Sequence, residues 1–173
     1  MLRLLPNGTR DNSFALPASN ITYDYALALQ PDGKLLVADP AAVKRFDANG
    51  ALDATFTGPT VEAGNLAVQP DGKILVGGNF QRNTGSRAYT LVRLNPNGTA
   101  DASFAAPSIT GTVNALLLQP NNRILLGGLF TGTGLPANLA RLLTTGQADA
   151  SFGATALPNA TVSALLVQPA RLW

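Results

Sequence analysis

The chain contains no cysteine and no histidine among its 173 residues. The first absence excludes disulfides, thiolate metal sites and cysteine nucleophiles. The second removes the commonest general base and metal ligand. Charge is also scarce: 13% of residues are charged, and 12 basic against 10 acidic residues leave a net charge of +2. Lys and Arg are spread one or two at a time rather than gathered into a stripe, so nucleic acid is not an expected partner. No apolar run reaches the roughly 20 residues of a membrane-spanning helix, and no membrane insertion is expected. Met1 to Pro6 carries no extended apolar core of a signal peptide, because Asn7-Gly8 interrupts it. With 46% hydrophobic residues the chain has enough apolar material for a packed core.

What is present is repetition. An arginine is followed by glycine at +5, aspartate at +8 and phenylalanine at +11 in four places: Arg3-Gly8-Asp11-Phe14, Arg45-Gly50-Asp53-Phe56, Arg93-Gly98-Asp101-Phe104 and Arg141-Gly146-Asp149-Phe152. A second block, an apolar run ending in Gln-Pro, interleaves with it at Leu27 to Pro31, Leu66 to Pro70, Leu116 to Pro120 and Leu165 to Pro169. Self-similarity at a fixed period marks a stacked repeat architecture.

One unit reads as extended structure throughout. Val113 to Gln119 is a short, continuously apolar run, the pattern of a strand buried on both faces. Pro120 to Arg123 matches the turns Pro31-Asp32-Gly33-Lys34 and Pro70-Asp71-Gly72-Lys73, in which proline presets φ, aspartate caps the turn and glycine accepts a positive φ. Ile124 to Gly128 is then the second strand of a hairpin. A third strand over 139–143 leads into Thr144-Thr145-Gly146, where other units have Asn-Gly, and Ala148 to Phe152 reads as a fourth strand. The arginines are 42, 48 and 48 residues apart, within the range of propeller blades.

The expected fold is therefore all-β: a β-propeller, as a partial or small ring, of four-stranded antiparallel blades of about 48 residues each, with a β-solenoid as the alternative. Residues 1–173 form one repeat domain, divided as 1–18 (end of a blade), 19–61, 62–108 and 109–158 (blades) and 159–173 (first strand of a next or shared blade). Unpaired terminal strands lead us to expect either a homo-oligomer or a piece of a larger repeat protein.

Two segments carry a resemblance. Val68-Gln69-Pro70-Asp71-Gly72-Lys73-Ile74-Leu75-Val76-Gly77-Gly78-Asn79-Phe80, followed by Val92-Arg93-Leu94-Asn95-Pro96-Asn97-Gly98-Thr99-Ala100-Asp101-Ala102-Ser103-Phe104, resembles the delta-60 repeat of bacterial β-propellers. The resemblance implies a module of large secreted or surface-attached bacterial proteins, hence an extracellular or cell-surface location, with no catalytic residues to carry over.

Constancy and variation divide the residues by role. Arg3, Asp11, Phe14, Arg45, Asp53, Phe56, Arg93, Asp101, Phe104, Arg141, Asp149 and Phe152 recur identically, so they are expected to hold hairpins and blades together. Asp47 to Asp53 has oxygen ligands at alternate positions, as in a calcium loop, but other copies lack them and an Asx turn is expected. Gly77-Gly78 and Gly127-Gly128 lack the lysine and helix of a phosphate cradle and are read as bulges or sites of close approach. Only the loops after each second strand change length, and on a repeat scaffold variable loops gather ligand-binding residues. Tyr23, Tyr25, Gln81, Arg82, Asn83, Arg87, Tyr89 and Asn138 are the candidates there, suited to a glycan or a protein surface. No cofactor, metal or catalytic residue is expected. The reading is a non-catalytic scaffold or interaction module. A carbohydrate-binding, lectin-like propeller is the alternative, and a polysaccharide lyase or hydrolase is third.

Overall fold

The computed structural model describes residues 2–16, 26–39, 41–60, 62–79, 88–153 and 158–167. Nine strands are formed, and no helix occurs among the described residues. In the first full unit they are β1 (Ala26–Leu29), β2 (Leu35–Ala38) and β3 (Val43–Phe46), a three-stranded antiparallel sheet in that order. The second unit contributes β4 (Glu62–Val68), β5 (Ile74–Asn79) and β6 (Ala88–Leu94), and the third β7 (Ile109–Leu118), β8 (Ile124–Gly132) and β9 (Leu139–Leu142).

Each Pro-Asp-Gly segment closes the hairpin expected of it. The Gln30 amide donates to the Lys34 carbonyl and the Gly33 amide to the Gln30 carbonyl, and Gln69 with Gly72 repeats the arrangement. Gly33 and Gly72 sit at φ of 82° and 80°, and Asn122 takes the same left-handed place at 59°. Asn is the non-glycine residue that tolerates this conformation best.

The Gly-Gly pairs answer to bulges. The β4–β5 register shifts between Ala63 and Asn65 opposite Gly78 and Gly77, and the β7–β8 register shifts between Val113 and Ala115 opposite Gly128 and Gly127. A Cβ on Gly127 would lie 2.6 Å from the Val162 side chain, so this glycine also admits the following segment.

One expectation is corrected. The fourth strand is reduced to one bridge per unit: Phe46 to Leu52, Leu94 to Ala100 and Leu142 to Ala148. The reason lies in the next residue, because the Asp101 Oδ1 atom accepts the Ser103 amide and hydroxyl and the Phe104 amide returns to the Asp101 carbonyl. That local turn takes the amides a ladder would need. The units are also not separate sheets throughout. β6 pairs with β7 at Ala88–Thr110 and Tyr89–Ile109, which joins the second and third units into one six-stranded sheet. Among the described residues the sheets do not close into a ring.

Successive units stack through their first strands, β1 against β4 and β4 against β7. The core accordingly falls into two layers. Leu36, Ala38 and Val43 of the first unit meet Ala63, Ile74, Val76 and Leu94 of the second. Leu75 and Leu91 of the second meet Val113, Ile124, Leu126, Ala140 and Leu142 of the third. Side chains of one strand alternate between the two layers, which is why continuous apolar runs are required.

Candidate functional site

The four-residue frame is a polar cluster that recurs four times among the described residues. In each copy the arginine Nε atom donates to the aspartate Oδ2 atom: 2.9 Å for Arg3–Asp11, 2.9 Å for Arg45–Asp53, 2.8 Å for Arg93–Asp101 and 2.7 Å for Arg141–Asp149. The Nη2 atom reaches the hydroxyl two residues beyond the aspartate, on Ser13, Thr55, Ser103 or Ser151. The guanidinium lies 4.5 to 4.8 Å from the centre of the frame's own phenylalanine ring, a cation–π stack.

The third donor crosses to the next unit. Nη1 of Arg3, Arg45 and Arg93 donates to the carbonyl of Ala48, Pro96 and Thr144, each at 2.6 Å. These carbonyls precede by two residues the turn glycines Gly50, Gly98 and Gly146. The amide following each phenylalanine adds a second bond: Ala15 to the Asn49 carbonyl, Thr57 to Asn97 and Ala105 to Thr145. The turn is thereby pressed against the preceding frame. A Cβ on Gly50 would stand 2.7 Å from the Ala15 carbonyl oxygen, and one on Gly98 2.7 Å from the Thr57 carbonyl carbon. Both glycines have φ of 93°, so the position demands glycine twice over.

A further cation converges on three of the aspartates. Lys34 stands 3.1 Å from Asp53, Lys73 2.9 Å from Asp101 and Arg123 3.1 Å from Asp149. The Asp101 carboxyl is held far below the usual carboxylate range, first by the Ser103 hydroxyl, then by the Lys73 ammonium, the Ser103 amide and Arg93, against a smaller opposing effect of burial. Asp53 is lowered in the same way by Thr55, Lys34 and Arg45. A carboxylate so firmly ionised and so fully hydrogen-bonded is a poor proton donor and offers no free lone pair to a substrate. Among the described residues no group of three acidic, His or Cys side chains is placed to hold a metal. Asp47 makes the Asx turn, its Oδ1 atom accepting the Asn49 and Ala51 amides.

Of the loop candidates, Tyr23, Tyr25, Gln81, Arg82, Asn83 and Arg87 lie outside the described residues. Tyr89 is placed by its backbone in β6, opposite Asn79 and Ile109. Asn138 is buried rather than presented. It adopts φ of 65°, its Oδ1 atom accepts the Phe130 amide at 3.3 Å and its Nδ2 atom donates to the Pro158 carbonyl at 3.1 Å. Its amide ties the loop to the following segment.

The loop of the first unit holds a pair that sequence reasoning passed over. Asp39, 1% exposed, accepts the Ala41 and Ala42 amides through Oδ1, both at 2.8 Å, and Lys44 Nζ through Oδ2 at 2.6 Å. Burial works to raise its pKa, but these donors prevail and lower it. The signal was an aspartate directly after a strand, a place where Asx turns start.

Residues 69–104 and 119–152 match the family model of a domain of unknown function described as a β-propeller, DUF5122. Each matched stretch runs from Gln-Pro to the frame phenylalanine, and the match supports a β-propeller repeat architecture. A search of curated proteins finds none that matches the chain.

Proposed function

We propose that the chain is a non-catalytic β-propeller repeat module, a scaffold or interaction surface of a secreted or surface-attached bacterial protein of the delta-60 repeat type. The observation that carries this reading is the fate of the repeated polar groups. In three consecutive frames the arginine's donors are all engaged: Nε and Nη2 within the unit, Nη1 across to the next. The invariant chemistry fastens units together and leaves recognition to the loops that change from unit to unit. The expected ligand is a protein or a glycan, and no cofactor is required.

A glycan array together with a polysaccharide turnover assay tests this. Binding abolished by Tyr89→Ala or Arg82→Ala with the fold intact would make the module carbohydrate-binding. Release of sugar from any polysaccharide would overturn the non-catalytic reading. Protease shaving of intact cells that produce the parent protein tests the location: its repeat peptides are expected in the supernatant, and their absence would reject a surface position.

A further inference from the structure

Among the described residues a lysine lies within 3.1 Å of an aspartate in three places: Lys34–Asp53, Lys44–Asp39 and Lys73–Asp101. In two of them the aspartate Oδ2 atom is also held by the frame arginine, Arg45 or Arg93. At the third, Asp39 Oδ2 accepts from Lys44 alone, at 2.6 Å. This pair also breaks the repeat. Asp39 stands where the second and third units have Gly78 and Gly128, and Lys44 where they have Val92 and Ala140. Because Val37 lies opposite Lys44 and Ala38 opposite Val43, Lys44 is the diagonal neighbour of Asp39 across the β2–β3 hairpin, a separation that a long side chain spans.

The surroundings of the pair suit a chemical step between its members. Asp39 is 1% exposed, and a charge taken that far from water is costly where a neutral amide is not. Its Oδ1 atom accepts the Ala41 and Ala42 amides, both at 2.8 Å. Two backbone N–H groups thus face the oxygen on which negative charge grows when an amine adds to the carboxyl carbon, the arrangement of an oxyanion hole. Oδ2, the other oxygen, is the one in contact with the lysine, and Nζ stands beside it, one bond from Cγ. The Lys44 side chain is 28% exposed, so solvent is reached from the amine side, where a released water can leave.

We propose that Lys44 and Asp39 condense to an amide, an isopeptide cross-link between β2 and β3. The ammonium passes one proton to Oδ2 across their contact, which leaves an amine beside a carboxylic acid. The Nζ lone pair then bonds to Cγ, the Cγ–Oδ2 bond breaks, and the second proton lost by nitrogen goes to Oδ2, which departs as water. Ammonium and carboxylate become amide and water, so the step needs no oxidant, reductant or further reactant. Holding the two groups in contact supplies an effective concentration of roughly 10⁵ to 10⁸ M, as in well-oriented intramolecular reactions. Burial of Cγ keeps out the water that would reverse the step. The cross-link gives covalent closure to a chain without cysteine, and it holds whatever the loops bind.

Mass spectrometry of the 173-residue chain, incubated folded and then digested with trypsin, is the test. The intact chain is expected to be lighter than its sequence by one water. Trypsin is expected not to cut after the amidated Lys44, so residues 35–45 appear as one peptide that carries the loss and gives no fragments from bonds between 39 and 44. A succinimide, the other way an aspartate loses water, forms through the amide of the next residue, and Asp39 is followed by Pro40, which has no N–H. Lys44→Arg retains a cation for Asp39 but stays protonated, and its chain is expected at the full sequence mass. A wild-type chain at full mass and cut after Lys44 overturns the proposal. So does a loss of water that persists in Lys44→Arg, since it would place the dehydration elsewhere.

Discussion

At the residue scale the arginine of the frame differs from an ordinary surface cation in having four separate partners. Arg45 is 7% exposed and serves Asp53, Thr55, the Phe56 ring and the Pro96 carbonyl at once. Only a planar fork meets that geometry, and a lysine ammonium does not. Arg45→Ala is expected to destabilise by about 3 kcal/mol, as for removal of one partner from a buried ion pair, and Arg45→Lys should recover less than half of this in urea denaturation. Recovery by lysine to the wild-type midpoint would show that charge alone matters. Gly98→Ala is expected to cost at least about 2 kcal/mol, since it combines left-handed strain with a blocked approach, whereas at Gly8 only the strain applies. The frame aspartates also set a pH dependence. Their pKa values are lower in the folded chain, so the stability they add is complete above the unfolded value of about 3.9 and is lost as the pH falls towards and through the folded one. Melting temperature should therefore fall steeply below about pH 4, and the double replacement Asp53→Asn, Asp101→Asn should flatten that fall. The identity of these residues was legible from their spacing. That they hold blades together was legible too, but the groups they reach in the next unit were not, because these are backbone carbonyls of residues as unlike as Ala48, Pro96 and Thr144.

At the element scale, hairpins were legible wherever a turn had a single conformational demand. Pro31-Asp32-Gly33 and Pro70-Asp71-Gly72 announce a positive φ at glycine, and Asn122 is understood once placed in register with them. Asn122→Gly is thus expected to stay within about 1 kcal/mol of wild type, balancing relief at a left-handed position against the greater freedom of glycine in the unfolded chain. Asn122→Val, which cannot adopt that conformation cheaply, should cost about 1 to 3 kcal/mol. Equal effects of the two replacements would show that the turn rearranges. The fourth strand was misread because Ala148-Asp149-Ala150-Ser151-Phe152 alternates polar and apolar residues like a strand. Its aspartate Oδ1 atom instead accepts both the Ser151 amide and the Ser151 hydroxyl. The β6–β7 join was invisible for a different reason: two backbone pairs between units, Ala88–Thr110 and Tyr89–Ile109, leave no side-chain pattern.

At the scale of the whole molecule, stability is expected to be a sum over neighbouring units rather than the property of one core. The two apolar layers share no residue, since Ile74 and Val76 face the first unit while Leu75 and Leu91 face the third. The second unit is consequently a plate with a different partner on each side, joined to the first by packing and the frame's hydrogen bonds and to the third by these and a short ladder as well. Ile74 in one layer and Ile124 in the other are both fully buried, which makes them matched probes. Ile74→Val and Ile124→Val should each cost about 0.5 to 1.5 kcal/mol, and the double variant should lose their sum to within about 0.5 kcal/mol, read from urea midpoints at constant m value. A discrepancy much larger than this would mean that displacement in one layer is transmitted through the β5 backbone to the other. The plates would then be mechanically coupled, and binding at a loop of one unit could be felt at the next. Additivity would instead make each unit an independent bearer of its own loop, which suits a scaffold whose frames are constant and whose loops differ.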